Sequence, residues 1–219
     1  MVVSPAKVEV VVPLRMADRQ VQRFILDNRQ WVMQTIDRIA ARLQQVERLS
    51  PERYDHGALV PFQGRKYPLQ VAPGKSSGIK ISFHDAFIAE LPAVRLDTDY
   101  SAAVREALIL WMKRTAALHA EQIVLRHASR QQLVPRSIRI KEQKSRWGSC
   151  GIKDDIHLNW LLMLAPPDVL EYVVVHELCH LRHRNHLPDF WGLVEEHLPE
   201  FRRQRLWLKE NGASLMMGL

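Results

Sequence analysis

Three consecutive valines, Val173–Val175, run into His176-Glu177-Leu178-Cys179-His180, and Glu177 is the one charged residue between positions 172 and 181. This stretch constrains any fold the chain adopts. A segment this apolar enters the core, and it takes two imidazoles and a carboxylate with it. Such groups are costly to bury unless hydrogen bonds or a metal ion satisfy them. On a helix, positions 176 and 180 are one turn apart and share a face, so both rings reach one ion. Glu177 sits beside the first of them, within reach of a water on that ion. Zinc lowers the pKa of such a water toward about 7, so a carboxylate takes its proton near neutral pH. The spacing implies Zn2+ held by His176 and His180, with Glu177 as general base for hydrolysis.

Catalytic zinc keeps three protein ligands and one open position. His183, His186, Glu195 and Glu196 are candidates for the third. His183 continues the face of His180, but Arg182, Arg184 and Asn185 indicate that the helix is ending. His186 lies six residues past His180 and swings back across a turn, which favours it; Asn185 is the residue expected to turn the helix end. Glu195 or Glu196, on the next helix, would instead make a glutamate-type site.

The third section of the chain builds the surroundings. Ile138 and Ile140 alternate with Arg139 and Lys141, as in a half-buried strand. Ser145–Ser149 and Ile156–Trp160 read as a hairpin around residues 151–155, with His157 and Asn159 facing away from Ile156, Leu158 and Trp160. Either arm can offer an edge to an extended substrate. Asp168 caps the helix of the histidine motif, Pro188 and Asp189 begin the next, and Pro199 opens a last helix through Lys209. Tyr172, His157 and Asn159 are candidate donors to a developing oxyanion.

Upstream, valine-rich Lys7–Leu14 reads as a strand. Val21, Ile25, Val32, Ile36, Ile39, Leu43 and Val46 recur at helical spacing between Asp18 and Pro51. Tyr67–Val71, Ile79–Phe83 and Phe87–Leu91 read as short strands between turns. A long helix follows from Asp99 or Ser101 to Ser129, its buried face marked by Val104, Leu108, Trp111, Thr115, Leu118 and Leu125. Strands followed by helices indicate an α+β fold rather than an alternating parallel sheet. A boundary near residue 95 separates an N-terminal α+β region, 1–95, from a domain over 96–219.

Composition narrows the classes. Of 219 residues, 47% are hydrophobic and 25% charged, the balance of a globular chain. No apolar run reaches the roughly 18 residues of a membrane span, and no secretory signal is legible, so a cytoplasmic location is expected. Cys150 and Cys179 cannot build a four-ligand zinc ribbon and read as buried thiols. The net charge of +7 is uneven. Segment 126–146 holds Arg126, Arg130, Arg136, Arg139, Lys141, Lys144 and Arg146 against Glu142 alone, which suits DNA contact or a solvated basic face.

Lys144-Ser145-Arg146-Trp147-Gly148-Ser149-Cys150, Leu158-Asn159-Trp160, the run from Tyr172 to His180, Asn185-His186 and Phe190-Trp191 together resemble the YgjP-like metallopeptidases, which group with SprT-like and WLM-type zincins. Residues Val60 to Leu69 resemble the same family's early strand pair. The resemblance implies a zincin-like core over 96–219 with the N-terminal strand and helix region packed on it. It also implies the triad His176, His180 and His186 with Glu177 as base, and hydrolysis of a protein or peptide substrate. Related SprT-like and WLM-type proteins act on proteins bound to DNA, which extends the expectation to DNA-associated substrates. The SprT-type zinc ribbon is absent, since no cysteine follows Cys179, and Leu187 stands where the family often has a small hydroxyl residue. The alternative is a nucleic-acid-binding protein with a structural zinc. Glu177 separates the two, because a structural site needs no unliganded glutamate there.

Overall fold

The computed structural model describes residues 2–3, 7–13, 16–44, 46–95 and 98–219, apart from the side chains of 2–3, 42–44, 95 and 129–131. Leu14 and the side chains of Leu43 and Arg130 therefore lie outside the described residues. The chain is mixed α+β and divides into two compact units, Met1–Glu47 and Arg48–Leu219. The residues near 95 lie inside the second unit.

In the first unit, β1 (Val2–Val3) pairs antiparallel with β2 (Val8–Glu9), and α1 (Asp18–Asp27) is followed by α2 (Arg29–Gln44). The strand expected over Lys7–Leu14 is thus two residues long, and the single expected helix is two. The break falls at Asn28, whose Nδ2 donates to the Phe24 carbonyl at 2.8 Å. That local bond competes with the helical ladder. Asp18 does not cap α1; it lies in the first turn after Ala17, where its charge complements the helix dipole.

The second unit opens with a four-stranded sheet in the order β3-β4-β6-β5, formed by β3 (Leu59–Phe62), β4 (Arg65–Gly74), β5 (Lys80–Phe83) and β6 (Phe87–Pro92). The β3–β4 turn has positive φ at both Gln63 and Gly64, the twist a tight hairpin requires. Gln63 N–H donates to the Met163 carbonyl at 2.8 Å and Gly64 N–H to that of Leu164 at 3.0 Å. A Cβ on Gly64 would stand 2.8 Å from Pro166 Cγ. The hairpin tip therefore clamps the segment that leads into the motif helix.

Helix α3 (Ser101–Gln131) buries Val104, Leu108, Met112, Ala116, Ala120 and Ile123. Trp111 and Thr115 are half-buried, whereas Leu118 and Leu125, expected inside, are 60% and 76% exposed. Position 118 is two residues past Ala116, about 200° round the helix, and so points away from the stripe.

A second sheet has the order β7-β9-β8, from β7 (Ser137–Lys141), β8 (Gly148–Cys150) and β9 (Asp155–Asn159). β9 pairs parallel with β7 and antiparallel with β8. Being paired on both sides, β9 offers no edge; β8 does. A buried 3-10 turn, Trp160–Leu164, leads to α4 (Pro167–Cys179), α5 (Pro188–His197) and α6 (Phe201–Met216). Pro166 rather than Asp168 precedes α4, and α6 begins two residues after Pro199 and outruns Lys209. Among the described residues, no helix is long and apolar enough to cross a membrane.

Candidate metal centre

Helix α4 is buried along nearly its whole length: Val173, Val174, Val175, Glu177, Leu178 and Cys179 are all in the core. It ends at the motif, with His180 the first residue past its last turn. The chain reverses there through bonds from Leu181 N–H to the Leu178 carbonyl (2.9 Å) and from His183 N–H to that of Cys179 (3.0 Å). Asn185, expected to make this turn, instead accepts from Leu187 N–H ahead of α5.

The turn returns His186 to the helix. Ring nitrogens of His176, His180 and His186 all lie within 4.8 Å of one another, and among the described residues no other such cluster of His, Cys, Asp or Glu occurs. His186 Nε2 is 3.1 Å from His176 Nε2. Tetrahedral zinc with imidazole nitrogens at about 2.0–2.1 Å separates those nitrogens by about 3.4 Å. His180 Nδ1 bonds the His183 carbonyl at 2.9 Å, which leaves its Nε2 for the shared point. His183 thus contributes a carbonyl rather than a ring, and Glu195 is engaged with Arg202. Phe190 stacks on the His180 ring at 4.5 Å, Trp191 faces His186 at 5.6 Å, and Trp191 Nε1 donates to the His186 carbonyl at 3.1 Å.

Burial drives His176 down to about 3, helped by the neighbouring His180, His186 and Arg205. Burial also lowers His180. Both rings are therefore neutral and present lone pairs, the state a metal ion requires. His176 Nδ1 is buried without a hydrogen-bond partner among the described residues. Convergent neutral imidazoles with no carboxylate between them suit a borderline cation of the zinc type.

Glu177 is 5% exposed and lies against β8, where a Cβ on Gly148 would stand 2.6 Å from Oε1. Burial pushes its carboxyl up to about 8, opposed by Arg146. Motif reading includes Gly148 but assigns it no role, although this approach leaves no space for a Cβ; glycine inside a strand is the signal for it. Arg184 was missed as well. It sits in the loop between His180 and His186, donating to the Gly151 carbonyl at 2.8 Å and pairing with Asp154. The metal loop is thereby tied to the β8–β9 turn.

Of the proposed oxyanion donors, Asn159 is excluded from the cleft. It is buried, donates to the carbonyls of Gln143 (2.8 Å) and Arg146 (3.0 Å), and accepts from Leu161 N–H. It braces the loop before β8 instead. Tyr172 packs edge-on to His176 at 5.9 Å and stacks on Phe201, and burial pushes its hydroxyl up to about 12, so it remains a proton donor. Trp160 is core, while Trp147 is half-buried against Gly212 of α6.

Fold and site together define the class: an α+β protein whose three histidines can hold a metal ion beside a buried glutamate. The chain belongs to the YgjP-like family, matching its metallopeptidase domain over residues 1–211. No curated protein matches it. Membership makes it a metal-dependent hydrolase of the peptidase type.

Proposed function

We propose that the protein is a zinc endopeptidase in which His176, His180 and His186 hold the ion and Glu177 is the general base. The observation that carries this reading is the convergence of three ring nitrogens within 4.8 Å beside a buried carboxylate that makes no ion pair among the described residues. A structural site would have no use for that carboxylate. Bound zinc supplies Lewis acidity for water and carbonyl, and positive charge that favours the ionised form of Glu177. Glu177 takes a proton from the attacking water and passes it to the leaving amine. Gly148, with no Cβ, lets the strand pass close against the carboxylate and hold it in place. Phe190, Trp191 and Tyr172 pack against His176 and keep bulk water from that ring. The outer side of β8 offers main-chain groups to an extended peptide.

Glu177→Gln tests the assignment. The variant retains about one zinc per chain by elemental analysis, while peptide hydrolysis falls by about 10²–10⁴-fold, the usual size of a lost general base. Undiminished turnover in Glu177→Gln overturns the mechanism, and sulfur ligation by Cys150 or Cys179 overturns the ligand set.

The basic segment favours a second, separable reading, contact with DNA that brings bound proteins to the site. Arg126 pairs with Glu171 and Arg136 with Asp155, but Arg139, Lys141, Lys144 and Arg146 remain exposed.

A further inference from the structure

Two arginines outside the metal triad lie close to it, Arg146 two residues before Gly148 and Arg205 over Trp191. Arg146 immediately precedes Trp147 and β8, and its backbone is fixed because Asn159 Nδ2 donates to its carbonyl at 3.0 Å. Its side chain is exposed and is the charge that acts on Glu177. Arg205, on α6, lies 4.4 Å over the face of Trp191, the ring that packs on His186 and His176. It is also exposed, and its charge acts on both His176 and Tyr172. Neither guanidinium has an ion-pair partner among the described residues, whereas Arg202, one turn earlier on α6, is paired with Glu195. Arg184 also acts on His180, but it is paired with Asp154.

We propose that Arg146 and Arg205 select peptides with acidic side chains on both sides of the cleaved bond, a specificity that rests on the peptidase reading above. Each is held ready for a carboxylate. The aromatic face orients the Arg205 fork, and the Asn159 brace sets the start of the edge strand from which Arg146 projects. A guanidinium so presented binds a carboxylate through two parallel hydrogen bonds. Unpaired positive charge beside a site also concentrates oppositely charged substrate. A peptide fits this arrangement better than a nucleic acid. The two cations stand on different elements, Arg146 just before the β8 edge and Arg205 on α6 over Trp191, not in a row along one strand. The row that does exist, Arg139 and Lys141, lies on β7, across β9 from β8.

The test uses the zinc-loaded Glu177→Gln protein and fluorescein-labelled decapeptides of one core sequence, flanked by Glu, Gln or Lys. Anisotropy should rank Glu above Gln above Lys, with Glu over Gln by about tenfold, the scale of one well-formed charge-assisted contact. Arg205→Glu and Arg146→Glu should each reduce that ratio several-fold, and together reverse it in favour of Lys, with zinc content unchanged. Equal affinity for the Glu and Gln peptides, or a preference untouched by both reversals, overturns the proposal. So does a single-stranded oligonucleotide that binds more tightly than the Glu peptide and loses that binding in the same variants, because the arginines would then be reading phosphate. Incubating the same peptides with the wild-type protein separates the two claims. Glu-selective binding without hydrolysis sinks the peptidase reading alone, and hydrolysis without preference for acidic flanks sinks the selectivity alone.

Discussion

At Gly148 the whole clearance between strand and the Glu177 carboxylate is one hydrogen atom. An added Cβ would meet Oε1, Cγ and Cδ of Glu177 at 2.6, 2.7 and 2.9 Å, so the carboxylate as a unit must move. Its surroundings are core, which leaves few directions open. Displacement of a catalytic group by about 1 Å costs on the order of 10²-fold in rate. Gly148→Ala is therefore expected to lower kcat by about that factor while zinc content stays at the wild-type level, since no ligand is touched. Steady-state kinetics with metal analysis reads both, and an active Gly148→Ala enzyme shows that Glu177 is not confined. The same residue shows how far motif reading went. His176, Glu177 and His180 were legible because helical spacing alone puts two rings on one face. The need for glycine at 148 arises from another element's approach, which neighbouring residues in the chain do not encode.

Among elements, the metal loop depends on its attachment to the second sheet. His186 belongs to neither α4 nor α5, and its position is held by Trp191 and by the Arg184 clamp on Gly151 and Asp154. Residues supporting a metal ligand from behind typically contribute 10–100-fold to affinity. Arg184→Ala should weaken zinc binding by about tenfold without unfolding the chain, as measured by competition with a chromophoric chelator. Unaltered affinity would mean that Trp191 alone fixes the loop. The hairpin of β8 and β9 was readable from Gly151 and the alternation beyond it. That β8, and not β9, is the edge was not readable, because pairing order depends on where β7 inserts. Helix α3 failed on the same ground. Leu118 and Leu125 are apolar but unpaired with any facing layer, and composition alone does not say which side of a long helix has a neighbour.

Across the molecule, two buried titrations with large and opposite shifts contribute to the pH behaviour of the metal-free protein. Glu177 is pushed from 4.5 up to about 8, so the folded state keeps a proton the unfolded chain has lost, and stability falls as pH rises through that interval. His176 is driven from 6.5 down to about 3, so the unfolded chain takes a proton the folded state refuses, and stability falls as pH drops through that interval. The slopes oppose each other between 4.5 and 6.5. Chelator-treated protein should then melt highest in that window and lose about 1.4 kcal/mol per pH unit above it, one proton's worth. In Glu177→Gln the alkaline loss should disappear; melting curves from pH 4 to 9 decide, and an identical decline in both proteins contradicts the assignment. The surface field supplies the remaining expectation. Arg139 and Lys141 are exposed on one side of β7, clear of the ion pairs that occupy Arg126 and Arg136. DNA affinity should fall with salt at a log–log slope of roughly −0.9 per phosphate contacted on duplex. Arg139→Glu with Lys141→Glu should weaken binding and flatten that slope at constant zinc content. Anisotropy of labelled duplex at two salt concentrations reads this, and identical binding by the reversed protein leaves the segment a solvated face.

The mixed α+β class, most element positions, the histidine pair with its glutamate and the grouping of His186 with that pair were legible in local information. Helical and strand periodicities, turn residues and ligand spacing act over a few residues and are written in adjacent positions. What lay beyond reach was set by contacts between segments far apart in the chain. The hairpin of residues 59–74 fixes the start of α4 through Met163, Leu164 and Pro166. Asn159 becomes a brace instead of a cleft residue because the loop before β8 passes over it. Arg205, 29 residues beyond His176, reaches the site because α6 packs on α4 and lays that side chain over Trp191. Each of these depends on which surfaces meet once the core closes, and burial is non-directional, so no local pattern announces the partner.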